Sequence, residues 1–193
     1  MPRPKSFDPD TVLAKAMGVF WEKGYDAASI SDLTEAMGIN RFSLYDTFGD
    51  KHQLYLKALD TYDRIVVLPF IEKVEAINSL NDLDAYFAMV IDYQHTGSTS
   101  LCCMMHKAAI TQAACDDDTK KRVECVRDRV HAAFCQVVQR IKDAGELRAG
   151  INISDAGWML KIALAGLATQ ATCPTPAEDT KAAFRLLVDT LRA

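Results

Sequence analysis

Two groups of residues in this 193-residue chain have types and spacings that could do chemistry. In the first, His106 follows Cys102 by four residues and Lys107 follows Cys103 by four, so each thiol has a potential cationic neighbour one helical turn on. A helix start beside a cation stabilises thiolate, the form that reacts with oxidants and electrophiles. Cys102 and Cys103 are therefore candidate redox or electrophile sensors, while the bland alternative is a pair of buried, inert small hydrophobes. Metal binding by Cys102, Cys103 and His106 lacks a second ligand pair at C-x-x-C spacing. A thiol hydrolase would need an orienting third group and an oxyanion site, and the sequence offers neither. No metal, no cofactor and no enzymatic activity are expected.

The second group is Arg41-Phe42-Ser43, Tyr45, Thr47 and Lys51. Arg41 can bond a guanine edge bidentately or a phosphate, and Ser43 can bond either. Phe42 can pack on a thymine methyl, or alternatively fold back as a hydrophobic-staple contact. Thr47 can donate to a backbone phosphate, and Lys51 adds its charge to a helix N-terminus. Such a set reads double-stranded DNA only if a helix presents it on one face.

The stretch Ser29 to Lys51, SISDLTEAMGINRFSLYDTFGDK, provides that helix. Ser29-x-x-Asp32 resembles a capping box, and Ile30, Leu33 and Met37 recur at helical spacing. Gly38 ends that helix, Asn40 caps the next, and Leu44, Tyr45 and Phe48 form the expected inward face of the second. The pair is a helix-turn-helix, whose second helix enters the major groove. The continuation Leu44-Tyr45-Asp46-Thr47-Phe48-Gly49-Asp50-Lys51-His52-Gln53-Leu54 resembles the L-Y-x-x-F-x-x-K-x-x-L signature of the TetR (tetracycline-repressor) family of transcriptional regulators. Phe20 to Tyr25 and Ser29 to Ile39 fit the same pattern, so the resemblance spans about residues 7–60. It departs at Asp46-Thr47, where many members carry an aromatic-His pair; His52 is a candidate stand-in.

The resemblance implies an all-α fold. An N-terminal three-helix helix-turn-helix domain, residues 1–50, precedes a C-terminal helical ligand-binding and dimerisation domain, residues 51–193. It implies a homodimer on a palindromic operator, with DNA contacts from Arg3, Lys5, Ser29, Arg41, Phe42, Ser43, Tyr45, Thr47 and Lys51. The dimer would form through the last two helices at Leu160, Ala163, Leu164, Gly166, Leu167, Phe184, Leu187 and Val188. A small-molecule effector of unknown identity would enter a pocket whose candidate lining is Tyr62, Phe87, Ile91, Met104, Met105, Phe134 and Trp158. A repressor is the family habit.

Composition sets limits on this reading. The hydrophobic fraction of 49% with 25% charged residues is that of a globular protein. No apolar run reaches membrane-spanning length, and the N-terminus lacks a signal-peptide core, so a cytoplasmic protein with no membrane partner is expected. The net charge is −4, and the first 51 residues hold six Lys/Arg against eight Asp/Glu. DNA binding must then come from local placement and helix ends rather than a basic field. Further helices are expected at about 83–93, 101–114, 116–144, 154–171 and 177–191. Pro69 is expected to kink or end the fourth helix, and Cys125 and Cys135 to be buried small hydrophobes.

Overall fold

The computed structural model describes residues 7–95, 102–170 and 175–193. Among them it is all-α, as expected: α1 (Pro9–Ala27), α2 (Ile30–Met37), α3 (Arg41–Phe48), α4 (Lys51–Tyr62), α5 (Leu68–Glu75), α6 (Leu80–His95), α7 (Met104–Thr111), α8 (Asp117–Asp143), α9 (Ile153–Gln170) and α10 (Ala177–Asp189). Residues Asp63–Val67 form a π-helical turn between α4 and α5. No described helix is long and apolar enough to cross a membrane.

The residues divide into two compact units. The first is Met1–Val67 with Cys103–Glu124, and the second is Leu68–Cys102 with Cys125–Ala193. In the first unit, local caps set where each short helix begins. Asp8 accepts from the Thr11 amide at 3.0 Å to start α1, Asn40 from Ser43 at 2.8 Å to start α3, and Asp50 from Gln53 at 2.8 Å to start α4. Each cap satisfies an amide the helix itself leaves unpaired. Eight-residue helices such as α2 and α3 are marginal alone in water. They persist because Phe20, Leu33, Met37, Leu44, Phe48, Leu54 and Leu59 are buried at 5% exposure or less, each burial contributing about 1.5–3 kcal/mol.

The second unit is built on apolar faces of α6, α8, α9 and α10. Phe87 on α6 stacks 6.3 Å from Phe134 on α8 and lies tilted 4.7 Å from Phe184 on α10. Arg140 donates to the carbonyls of Glu75 and Ile77, satisfying the end of α5, and the Glu146 carboxylate accepts from the Leu80 amide at the start of α6.

Several boundaries differ from expectation. At Pro69, where a kink or an end is expected, regular α geometry is interrupted by the π turn Asp63–Val67 just before it, and α5 carries the proline and runs on to Glu75. A proline ring there would collide with the carbonyl four residues earlier in an unbroken α-helix, and the widened π turn just before it accommodates the misfit. Helix α6 starts at Leu80, three residues early, because the Ser79 hydroxyl accepts from the Asp82 amide and supplies the cap. Cys125 is exposed and Cys135 half-buried, so neither is the buried hydrophobe expected.

Candidate nucleic-acid interface

The turn of the helix-turn-helix is fixed by short-range chemistry. Ser29 Oγ accepts from the Asp32 amide at 3.0 Å while the Asp32 carboxylate accepts from the Ser29 amide at 2.9 Å, which is the expected capping box. Lys23 reaches Asp32 at 2.7 Å. This hydrogen bond, and then those from Ser29, hold the carboxyl well below its ordinary range. Gly38 ends α2 with φ 69°, and its amide donates to Thr34 and Glu35. An L side chain is strained in that left-handed region. Gly24 similarly breaks the regular geometry of α1, at φ 80° and ψ 175°.

Helix α3 then turns Leu44 and Phe48 inward, at 0% and 5% exposure, and sets other side chains outward. Arg41 is exposed and Ser43 half-buried, and Phe42 is 79% exposed. Phe42 thus forms no hydrophobic staple; its ring lies open to solvent. Tyr45, expected on the inward face as well as on phosphates, is 48% exposed and so sits toward the outer side. Asp46 is exposed. The Thr47 hydroxyl is buried without a partner among the described residues, so a χ1 turn must precede any phosphate contact by that oxygen.

Lys51 sits half-buried at the start of α4, its ammonium 4.6 Å over the Tyr25 ring and 3.4 Å from the Asp26 carbonyl. The cation is therefore held at the helix N-terminus, where its charge and the backbone amides act together. Arg3 and Lys5 lie outside the described residues.

His52, the candidate stand-in for the family histidine, is engaged elsewhere. Its Nε2 lies 3.6 Å from the Asp116 carboxylate, and Tyr25 packs edge-on against its ring. His52, Asp116 and Asp118 bring ligand-type atoms within 4.8 Å of one another, but Asp116 already accepts from the Thr119 and Asp118 amides to start α8.

The thiol pair flanks the start of α7. Cys102 is buried at 7% exposure, and Cys103 is half-buried at the N-cap. The expected cation partner of Cys103, Lys107, spends its ammonium on the carbonyls of Trp21 and Glu22, at 3.0 Å each. Gln112 reaches Asp26 at 2.9 Å. Helix α7 is thereby pinned to the stretch of α1 around Gly24. Sequence spacing could not reveal this, because the partners lie 85 residues or more apart for Lys107.

The expected pocket residues are divided between the two units. Tyr62 packs edge-on against Trp21 at 5.1 Å in the first unit, where Met104 and Met105 are also buried. Phe87, Ile91 and Phe134 are at 0% exposure in the second unit. Trp158 stacks on His131 at 4.0 Å. Gly157 makes room beside it, since a Cβ there would lie 2.7 Å from the Cys135 sulfur.

Three of the expected dimer residues are buried within the chain itself. Leu160, Leu167 and Val188 turn into the chain's own core, at 0%, 2% and 1% exposure. The large apolar side chains left exposed on these helices are Ile162 at 64% and Leu186 at 69%. Ala163, Leu164, Phe184 and Leu187 are half-buried, and Gly166 is exposed.

Residues 12–58 match the model of the bacterial regulatory proteins, tetR family. The HTH-type transcriptional regulator YezE of Bacillus subtilis (strain 168) is 33% identical over 148 residues, covering 76% of each chain. The HTH-type transcriptional repressor ComR of Escherichia coli (strain K12) is 31% identical over 178 residues, covering 88% of this chain and 81% of that one. Among solved structures, the TetR family transcriptional regulator CifR, a cysteine mutant complexed with 26bp double-strand operator DNA, superposes with a TM-score of 0.83 at 27% identity. That match covers 97% of this chain and 98% of the other.

Proposed function

The chain belongs to the tetR family of bacterial regulatory proteins and is a DNA-binding transcriptional regulator, and we propose that it is a homodimeric repressor that an effector releases from a palindromic operator. Residues 1–50 carry the reading head, and residues 51–193 carry effector response and dimerisation. The observation that carries the reading is the outer face of α3. Arg41, Phe42 and Tyr45 stand exposed at the second helix of a helix-turn-helix whose inner face is fully packed. A 79%-exposed phenylalanine stabilises nothing inside the chain, and an exposed aromatic suits a base edge or thymine methyl.

Arg41 and Ser43 complete the base-facing set. Ser29, Tyr45, Thr47, Lys51 and the arm residues Arg3 and Lys5 take phosphates. Two such heads reading successive major grooves would stand about 34–36 Å apart. ComR, a relative at 31% identity, is a repressor, which favours repression here. For the dimer we assign the outward stripe of α9 and α10, Ile162 and Leu186 with Ala163, Leu164, Gly166, Phe184 and Leu187. These surfaces would be buried in a two-fold, self-complementary contact.

The effector acts by preferring the state whose head spacing does not fit the operator. A thiol-modifying effector at Cys102 or Cys103 is a second reading, supported by the pinning of α7 to α1 through Lys107 and Gln112. Adding bulk at the N-cap of α7 would strain that connection in the same unit that bears the reading head. CifR, a relative with operator DNA bound, was captured as a cysteine mutant.

Binding to DNA upstream of the chain's own gene, against random DNA of equal length, tests the reading. Wild type should prefer the upstream DNA, and Tyr45→Ala and Lys51→Ala should weaken it. Equal affinity for both DNAs, untouched by either substitution, would overturn it.

A further inference from the structure

Tyr86 on α6 is 7% exposed, and its hydroxyl has no hydrogen-bond partner among the described residues. Its ring meets Phe70 on α5 and Phe87 on α6 edge-on, both at 5.9 Å, and Phe87 continues into Phe134 and Phe184. Buried polar groups in native proteins are overwhelmingly partnered, so an orphaned one calls for a reason. Burial pushes the phenol pKa up, which keeps the group a neutral O–H donor at physiological pH.

An apolar, aromatic wall carrying a single unpaired donor has the composition of a small-molecule site. Phe70 is half-buried, while Phe87 and Phe134 are fully enclosed, so Phe70 is the ring of this cluster that can yield to an entering molecule. We propose that Tyr86 is the polar anchor of an effector site in the second unit, taking an uncharged apolar ligand with one hydrogen-bond acceptor, such as a carbonyl or ether oxygen. The proposal rests on the effector reading above and gives it a ligand class. A carboxylate would have to shed its water against the Phe70 and Phe87 rings, a cost that one O–H does not offset. A ketone oxygen loses far less and gains the same bond. Phe87 and Phe134, read from sequence as pocket lining, then supply the wall, and Tyr86 supplies selectivity.

Acetophenone and ethylbenzene test this as a matched pair, since they differ by a carbonyl in place of a methylene. Affinities are measured by calorimetry or ligand-observed NMR on the full chain, wild type and Tyr86→Phe. Wild type should bind acetophenone more tightly. Tyr86→Phe should weaken acetophenone by about 2- to 10-fold, one neutral hydrogen bond's share, and leave ethylbenzene unchanged. Its melting temperature should not fall, because the deleted hydroxyl has no internal partner. Acetophenone affinity untouched by Tyr86→Phe would overturn the anchor and assign the hydroxyl to a buried water, while leaving the effector reading standing. A marked loss of stability in Tyr86→Phe would overturn it as well, by revealing an internal partner. Failure of both probes to bind wild type would overturn the anchor and the effector reading together.

Discussion

Replacing Phe42 with alanine separates folding from DNA reading more cleanly than any other change on α3. The ring is 79% exposed, and a fully buried phenylalanine removes roughly 200 Å² from water. Its free surface is then on the order of 160 Å². If DNA covers half of that, about 80 Å² at ~25 cal/mol per Å² contributes ~2 kcal/mol per subunit. This is about 30-fold in affinity for one head and about 1,000-fold for a dimer using both. The same substitution should change folding stability by no more than about 0.5 kcal/mol, as for other surface positions. Fluorescence anisotropy on operator DNA at fixed salt, paired with urea unfolding, measures both quantities. A variant that binds like wild type would refute the placement of Phe42 at a base edge. A variant that loses more than about 1 kcal/mol of stability would refute the exposed placement itself.

Other substitutions probe the packing that positions this head. Lys107→Met should cost about 1–2 kcal/mol of stability, the share of charge-assisted bonds to carbonyls that water can partly replace. It should also raise amide exchange near Trp21 and Glu22, and unchanged exchange there would argue against the pinning of α7. Gly157→Ala forces a Cβ to within 2.7 Å of the Cys135 sulfur and 3.2 Å of the His131 ring, so it should cost about 1–3 kcal/mol. Cys135→Ala in the same chain should recover part of that loss, and strictly additive effects would sink the steric account.

His95 offers a pH prediction. Its two ring nitrogens each lie 2.8 Å from a carbonyl oxygen, of Ile91 and of Thr175, and only the doubly protonated ring donates to both. The Ile91 carbonyl first, and then that of Thr175, raise its pKa above the ordinary histidine value. With the folded value raised, the contribution is full below the unfolded pKa of about 6.5 and is lost as pH rises through the folded one. The stability difference between wild type and His95→Ala should therefore shrink as pH climbs above about 6.5. A difference that grows with pH would reverse the assignment.

The short-range signals of the reading head were legible in the sequence because their partners are neighbours. Ser29 and Asp32, Asn40 and Ser43, and Asp50 and Gln53 are three residues apart, and Gly38 needs only its own φ to end α2. A helix capped at both ends and apolar at i, i+3 and i+4 has few alternatives. The same logic failed at α9, where leucine, alanine and glycine run around the whole helix. Leu160 and Leu167 are as apolar as Ile162, so sequence alone does not say which of them turns inward.

What the chain by itself determined, then, is the all-α class, the caps and turn of its helix-turn-helix and the side chains that α3 carries. Tertiary structure decided which side of each apolar helix is spent on the chain's own core and which is left over. It sent Leu160, Leu167 and Val188 inward and left Ile162 and Leu186 out. It stacked Trp158 on His131, committed Lys107 to the backbone of α1, and left the Tyr86 hydroxyl orphaned. Caps and turns act over three or four residues and are written where they act. Burial and pairing depend on partners tens of residues away, whose positions exist only once the helices have packed.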